Sequence, residues 1–436
     1  MITAFLKSLS MGSTPDQGAL LSPRQTMVLL GALTLVLLAA SLLPRTLSAM
    51  PLVLGAVPVL IWAGWTRTWP PVYPAALMCT GVIVALAACS TLWAIDPAEA
   101  GERAGKIAMV LIPGALMVGL CRGADRDTLA RMAKIIPLAV MAGWSVIVGD
   151  YYTGQPLYRL THGLDADIII GTYETNRACM TLTLCSLPAM VMALRLWPGL
   201  VGWGMAAAIV ALGFAAIHTS DSQTALLAFI IGVGVLVAFP VVSIWPRRIL
   251  KWIMLAGIAT GPFLAIAMFR HLATPMEPMF LDSAANPLER MEIWDFVSRY
   301  ALQNPLTGFG IEASRVITDF DNAKIYEPAS TIMHPHNGVL QIWIEFGALG
   351  AALTMVAVAA LFRRIDGLGR TNRRLVLAVF LATCSVSLTG YGLWQGWWLG
   401  ACMLMIGLTA LTLKIRSVPV RFPLSFNRPA WLSPTA

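Results

Sequence analysis

The chain has 436 residues, 58% of them hydrophobic and only 12% charged, with a mean hydropathy of +0.74. Soluble domains carry about 25% charged residues, so this chain cannot cover itself with a water-compatible surface. A disordered tail, a coiled coil, a collagen-like chain and a secreted disulfide scaffold are excluded, which leaves a multi-span membrane protein. The formal net charge of +8 does not point to nucleic acid, because the basic residues sit in short loops between apolar runs, where they orient spans.

A spanning helix needs about 20 mostly apolar residues. Twelve candidate runs follow one another, at about 26–43, 48–65, 74–94, 106–121, 134–150, 176–196, 198–217, 223–243, 249–269, 336–361, 374–393 and 396–414. The runs are continuous rather than alternating, which argues against a β-barrel. The expected fold class is therefore all-α and polytopic, with about twelve transmembrane helices. Mostly polar residues precede the first run, and that run is too long for a signal core, so no cleavable signal is expected. Cys79, Cys89, Cys121, Cys179, Cys185, Cys384 and Cys402 lie in or beside apolar runs without metal-ligand spacing, and read as small packing residues.

With an even number of spans, both termini share a side. About two thirds of the lysines and arginines fall there, among them Arg24, Arg122, Lys134, Arg195, Arg247, Lys251, Arg363 and Lys414, whereas few acidic residues do. The positive-inside rule then puts both termini in the cytoplasm. The expected organisation is nine helices over 1–269, an outer loop over 270–335, three helices over 336–414 and a cytoplasmic tail over 415–436. A shorter outer loop lies at 151–175.

The large loop carries its own structural signals. Asn286-Pro287-Leu288-Glu289 reads as a helix start, with Asn as N-cap and Pro at the first position. The helix would run to about Gln303, before Asn304-Pro305, with Gly308 and Gly310 marking a turn. On a helical wheel Ile293, Trp294, Val297, Tyr300 and Ala301 form one stripe with Arg290 at its centre. Glu292, Asp295 and Arg299 fall opposite, the last two spaced for an i,i+4 pair. An arginine centred on an apolar stripe faces the membrane domain, either snorkelling with its stem packed or contacting an anion at the bilayer surface.

Four constellations carry possible chemistry. His334-Pro335-His336-Asn337 opens the tenth run, which also holds Gln341 and Glu345. Two imidazoles at the mouth of a helix carrying a carboxyl suit acid–base work near pH 7; a hydrogen-bonded helix cap is the structural alternative. His-x-His with a carboxylate suggests zinc, but no third ligand has a convincing spacing. Thr172-Tyr173-Glu174-Thr175-Asn176-Arg177 leads into the sixth run, where Arg177 needs an anion or a carboxylate such as Glu174 or Asp150. Thr219-Ser220-Asp221-Ser222-Gln223-Thr224 opens the eighth as a polar knot or a plain N-cap cluster. Tyr391-Gly392-Leu393-Trp394-Gln395-Gly396-Trp397-Trp398 is an indole-rich turn, suited to a membrane-interface belt or to stacking on sugar rings.

Arg177, Gln223, Arg290, His334 and His336 all fall at the outer face. Two arginines suit a diphosphate, which needs paired donors and compensating charge. There is no Walker A, GxGxxG or cytoplasmic DxD signature, so the energy must arrive in the substrate. A lipid-linked diphosphate sugar on the outer leaflet fits.

These residues resemble the O-antigen ligase and O-antigen polymerase superfamily of bacterial inner membranes. His336-Asn337, nine residues, then Gly347 and Gly350 is similar to the ligase signature. Arg290-Met291-Glu292-Ile293-Trp294 followed by Pro305-Leu306-Thr307-Gly308-Phe309-Gly310 resembles the family's loop motif, and Leu393-Trp394-Gln395 with Trp397-Trp398 its late aromatic turn. The resemblance covers roughly 170–400. It implies a twelve-span glycosyltransferase of GT-C-like type with a periplasmic loop lidding a cavity, an undecaprenyl-diphosphate-linked glycan donor, a lipid A–core acceptor and no cofactor or metal. It implies His336 as general base and Arg290, with Arg177, as diphosphate ligands. His334, Asn337, Gln223 and Trp294 are the further expected substrate-binding residues. The family often has arginine where this chain has Gln223, which can hydrogen-bond a phosphate but not neutralise it. A polymerase, an O-linked protein oligosaccharyltransferase and, less well, a transporter stay open; no internal repeat is evident, and the polar groups cluster at one face.

Overall fold

The computed structural model describes residues 21–67, 69, 72–239, 243–280, 287–322, 325–327 and 332–415, and among them the regular structure is helical throughout. The chain forms α1 (Pro23–Ala40), a 3₁₀ turn (Pro44–Ser48), a π turn (Leu52–Ala56) leading into α2 (Val57–Thr66), α3 (Pro74–Ser90) and α4 (Pro97–Gly123). It continues as α5 (Arg126–Met132), α6 (Ile135–Tyr152), α7 (Pro156–His162), a 3₁₀ turn (Thr172–Thr175), α8 (Asn176–Leu196), α9 (Gly199–Ser220) and α10 (Gln223–Ala238). The rest is α11 (Ile244–Phe280), α12 (Pro287–Ala301), α13 (Ala313–Val316), a 3₁₀ turn (Asp319–Asn322), α14 (Gly338–Asp366), α15 (Arg370–Thr389) and α16 (Gly396–Lys414).

Each of the twelve apolar runs coincides with a helix. Eight described helices are long and apolar enough to cross a membrane; Leu52–Trp65, Pro74–Ser90 and Gln223–Ala238 are apolar but shorter. The chain is thus a polytopic membrane protein by helix length and composition. Exposed Leu35, Leu60, Ile83, Met109, Ile230, Ile253 and Phe263 would be costly in water and suit hydrocarbon. α8 is the central helix: residues 178–193 are all buried, and it packs on α1, α6, α9, α10, α15 and α16. A helix apolar all round belongs at such a position.

One end of the bundle is basic. Arg195 donates to the carbonyl of Thr412 and to Asn372 Oδ1, Arg247 pairs with Asp366 at 2.8 Å, and Lys414 donates to the carbonyl of Arg122. Arg122 lies over Tyr73, Lys134 over Trp197, Arg248 over Trp245 and Lys251 over Trp252. Cations beside tyrosine and tryptophan rings in this way are typical of a membrane–water boundary.

Three expectations need correcting. The helix of the ninth run does not end near 269. α11 has 37 residues, about 55 Å at 1.5 Å per residue, which exceeds a hydrocarbon core of about 30 Å. Its distal part therefore stands beyond the spans, and α12 packs along α11. The loop helix ends at Ala301, and its expected cap, Asn286, lies outside the described residues, as do the first 20 residues and the tail beyond 415. Glu292, expected on the outward face, is buried. Its carboxylate accepts the amides of Ile325, Tyr326 and Glu327, the last two at 2.8 Å, and so holds the returning loop. The Asp295–Arg299 pair forms as expected, at 2.8 Å.

Candidate functional site

α14 is interrupted. Gly347 takes φ 56° and ψ −149°, a conformation essentially confined to glycine. The break frees backbone groups on both sides, and residues 305–310 complete them. The amides of Phe309 and Gly310 donate to the carbonyls of Ile344 and Glu345 at 2.8 and 2.9 Å; the amides of Ala348 and Leu349 donate to the carbonyls of Pro305 and Leu306 at 2.8 and 3.1 Å. The other side of this loop is held by the turn between α3 and α4. Ile95 donates to the carbonyl of Phe309 (3.1 Å) and Trp93 Nε1 to that of Thr307 (3.1 Å). Gly347 lies nine residues into α14, about 14 Å along its axis. Irregular backbone at that depth is tolerated where protein covers it: Gly347, Gly308 and Gly310 are buried, whereas Pro305 and Leu306 at the edge of the contact are exposed.

Beside this break stands a cluster of charges that periodicity did not reveal. Glu345 is fully buried. It accepts from Gln341 Nε2 (3.0 Å), the Glu312 amide (3.2 Å) and Trp394 Nε1 (2.5 Å). Glu312 in turn pairs with Arg103 at 2.7 Å and with Arg315. Glu345 therefore does not serve the histidines directly, contrary to expectation. Its neighbours come from α4, the loop and the 390–395 turn, segments distant in sequence.

The histidine segment lies at the start of α14. Asn337 caps the helix, its Oδ1 accepting from the amides of Val339 and Leu340 at 3.0 and 3.3 Å, so that oxygen is already engaged. Trp294 Nε1 donates to the carbonyl of Pro335 at 2.8 Å, which fixes the segment between the two histidines to α12. The His334 and His336 rings meet edge-to-face, 4.1 Å between centroids.

His336 Nδ1 lies 2.7 Å from the carbonyl of Gly390. A carbonyl only accepts, so the neutral ring carries its hydrogen on Nδ1 and keeps its lone pair on Nε2. Arg290 donates to the carbonyl of Thr389 at 2.5 Å. An imidazole and a guanidinium are thus held on carbonyls of consecutive residues. Arg290 is exposed, whereas His336 is partly covered.

Burial pushes the His334 imidazole down to about 3, with His336, Arg315 and Arg290 adding to the effect. Its buried Nδ1 has no hydrogen-bond partner among the described residues. The pair therefore does not share acid–base work near pH 7. Burial also lowers His336, opposed by the bond to Gly390 and assisted by Arg290, so His336 is neutral at pH 7.

Arg177 comes to the same turn from another direction, 5.8 Å above the Trp397 ring, and Trp397 meets Tyr391 edge-to-face at 4.6 Å. The carboxylates expected as its partners are occupied. Asp150 accepts the amides of Leu157 and Tyr158 at 2.7 and 3.1 Å, and Glu174 accepts the Tyr158 hydroxyl at 3.1 Å. Arg177 has no ion-pair partner among the described residues, and its Nε is buried without one. Ser222 is an N-cap, accepting the amide of Ala225 at 3.4 Å. Gln223 is exposed; its neighbour Thr224 lies where a Cβ on Gly390 would meet it at 3.0 Å. Four separate segments thus meet around residues 389–397. Among the described residues no three His, Cys, Asp or Glu side chains converge as a metal site requires.

Residues 180–355 match the protein family described as O-antigen ligase. The chain is 25% identical over 254 residues to a "Putative polysaccharide ligase" of Rickettsia prowazekii, with 56% of this chain and 60% of that protein covered. It is 28% identical over 207 residues to a protein of the same description from Rickettsia conorii, with 45% and 48% covered. The chain thus spans 60% of the first relative's length and about half of the second's. No solved structure matches the chain.

Proposed function

We propose that this chain, whose residues 180–355 match the family described as O-antigen ligase, transfers a glycan from undecaprenyl diphosphate to a hydroxyl of lipid A–core at the outer face of a bacterial inner membrane. One observation carries the reading. His336 and Arg290 are fixed on the carbonyls of Gly390 and Thr389, which sets a neutral base beside a free-standing cation. The basic, indole-flanked end of the bundle is opposite, and supports cytoplasmic termini with a periplasmic site.

In this mechanism Nε2 of His336 takes the proton of the acceptor hydroxyl. The oxygen attacks the anomeric carbon, the bond to the lipid diphosphate breaks, and the anomeric centre inverts. Arg290 and Arg177 stabilise the charge growing on the departing diphosphate; the Gly390 carbonyl steadies the imidazolium. His334 packs against the base, and Trp294 and Asn337 set its segment. Gln223 offers the donor a hydrogen bond without charge.

Arg290→Lys should lower transfer about 10-fold or more, because lysine keeps the charge but loses the planar fork that reaches Thr389 and a phosphate together; initial rates measure it, and unchanged rates would remove Arg290 from the donor site. The pH profile should keep its acid limb below the ordinary imidazole value. A base lowered by burial stays unprotonated as pH falls, and the rate drops only when pH passes its own midpoint. A limb at or above that ordinary value would contradict this environment for His336.

The decisive test is the surface glycolipid of a host lacking this gene, run on a gel beside wild-type and His336→Ala complements. Bare core with long glycan retained on the lipid carrier supports the ligase. Core capped by single repeats would make the chain a polymerase, and an unchanged ladder would point to a protein or another acceptor. Full rescue by His336→Ala would overturn the mechanism.

A further inference from the structure

We infer that Glu345 and Gln341 are positioning residues for His336, acting through the turn at 390–394; the inference rests on the transfer reaction proposed above. The path is continuous. Glu345 accepts from Trp394 Nε1 and from Gln341 Nε2, and Gln341 Oε1 accepts the amide of Leu393 at 3.0 Å. Within the same turn, a Cβ on Gly392 would meet the His334 ring at 3.1 Å, and Gly390 holds His336 Nδ1 at 2.7 Å. One end of the turn is thus tied to α14 through the buried carboxyl, and the other to the segment that leads into α14 through the imidazole.

A fully buried carboxyl within a span is expensive, and a leucine would fill the space. What leucine lacks is acceptors. All three groups facing Glu345 are donors: an indole N–H, a side-chain amide and the Glu312 backbone amide. A glutamine in its place must turn its own NH₂ toward one of them, so at least one bond is lost. The carboxyl also joins the turn to the loop, because Glu312 is bracketed by Arg103 and Arg315. One residue therefore registers α14, the loop and the turn against one another, and displacement of the turn reaches the Gly390 carbonyl that fixes the tautomer of the base. Misplacement by about 1 Å can cost about 10²-fold in rate.

The charged and titratable groups around the two ends are few. Arg290, Glu327 and His334 act on His336; Glu312, Arg103 and Arg315 stand around Glu345. None of them is altered by Glu345→Gln or by Trp394→Phe. The second variant removes only the indole N–H and keeps an aromatic ring against Phe346, whose ring centroid lies 6.1 Å away.

The experiment uses the full chain in lipid nanodiscs, labelled with ¹⁵N-histidine. The donor is a synthetic undecaprenyl-diphosphate-linked tetrasaccharide, and the acceptor is lipid A–core. The His336 ring signals are assigned by their loss in His336→Ala. Both variants should lower kcat about 10- to 100-fold with KM within about twofold. The acid limb should move to lower pH, because the Gly390 bond that favours the protonated ring is weakened. The single Nδ1–H tautomer should give way to a mixture. An unmoved limb and unmoved ring signals in a folded variant would overturn the inference even if activity falls, since lost packing alone predicts that pattern. Should Glu345→Gln fail to accumulate, Trp394→Phe decides alone. Absence of transfer by the wild type, with ring signals that still respond, would overturn the proposed reaction and leave the positioning intact. The converse result would do the opposite.

Discussion

Replacing His336 with alanine is expected to lower glycan transfer by about 10²- to 10⁴-fold, the range that a positioned general base contributes. The protein should remain folded. His336 sits just outside α14, and its one polar tie among the described residues is to the Gly390 carbonyl, so truncation leaves the Asn337 cap and the Trp294–Pro335 bond in place. Donor binding should persist, because Arg290 and Arg177 take their positions from Thr389 and Trp397. Loss of kcat with an unchanged thermal transition and retained donor is the expected result. Loss of accumulated protein would instead assign His336 a structural role, and wild-type rates would remove it from the reaction. His334→Ala should cost less, because a ring lowered to about 3 by burial does not take up protons at working pH.

The second large effect is expected at Gly347. A Cβ there would lie 2.6 Å from the carbonyl carbon of Leu306, 2.7 Å from the Pro305 oxygen and 2.8 Å from the Gly308 nitrogen. All three are backbone atoms, so no rotamer relieves the clash. Alanine must also adopt a glycine-only conformation, at about 1–3 kcal/mol for the dihedrals alone. Gly347→Ala should therefore destabilise the protein by about 3–5 kcal/mol, visible as a large fall in Tm in detergent, and should abolish transfer by expelling residues 305–310. Gly257→Ala in α11 is the matched control, because a Cβ there meets nothing within 4 Å. It should be neutral or slightly stabilising. Equal behaviour of the two variants would mean that the break in α14 is not needed.

The helices were legible because hydrocarbon imposes a length and a composition on every span, and each apolar run names its own helix. The convergence of His336, Arg290 and Arg177 on one end was also legible, since charge inside apolar sequence has few permitted places. The break in α14 was not. Gly347 sits in an apolar run as any small residue does, and the groups that complete the break are backbone atoms of residues 305–310, which leave no side-chain signature. The hint available was paired glycines in two segments, Gly308 and Gly347, each with room for hydrogen only. Glu292 was misread for the same reason: its partners are amides of residues 325–327, and a helical wheel knows nothing of them. The Glu345–Glu312–Arg103 cluster joins segments far apart in the chain, and periodicity is blind to such pairs.

The manner in which α14 is completed bears on the order in which this half of the molecule can form. In lipid, each backbone group left open costs several kcal/mol, and α14 has four that only residues 305–310 satisfy. That segment is made before α14 and meets it from the end where α14 begins. α14 can therefore be completed at its break only once residues 305–310 have come to lie against it. Folding here is a sequence of dependent steps, in which placement of the 305–310 segment is a condition for a complete α14.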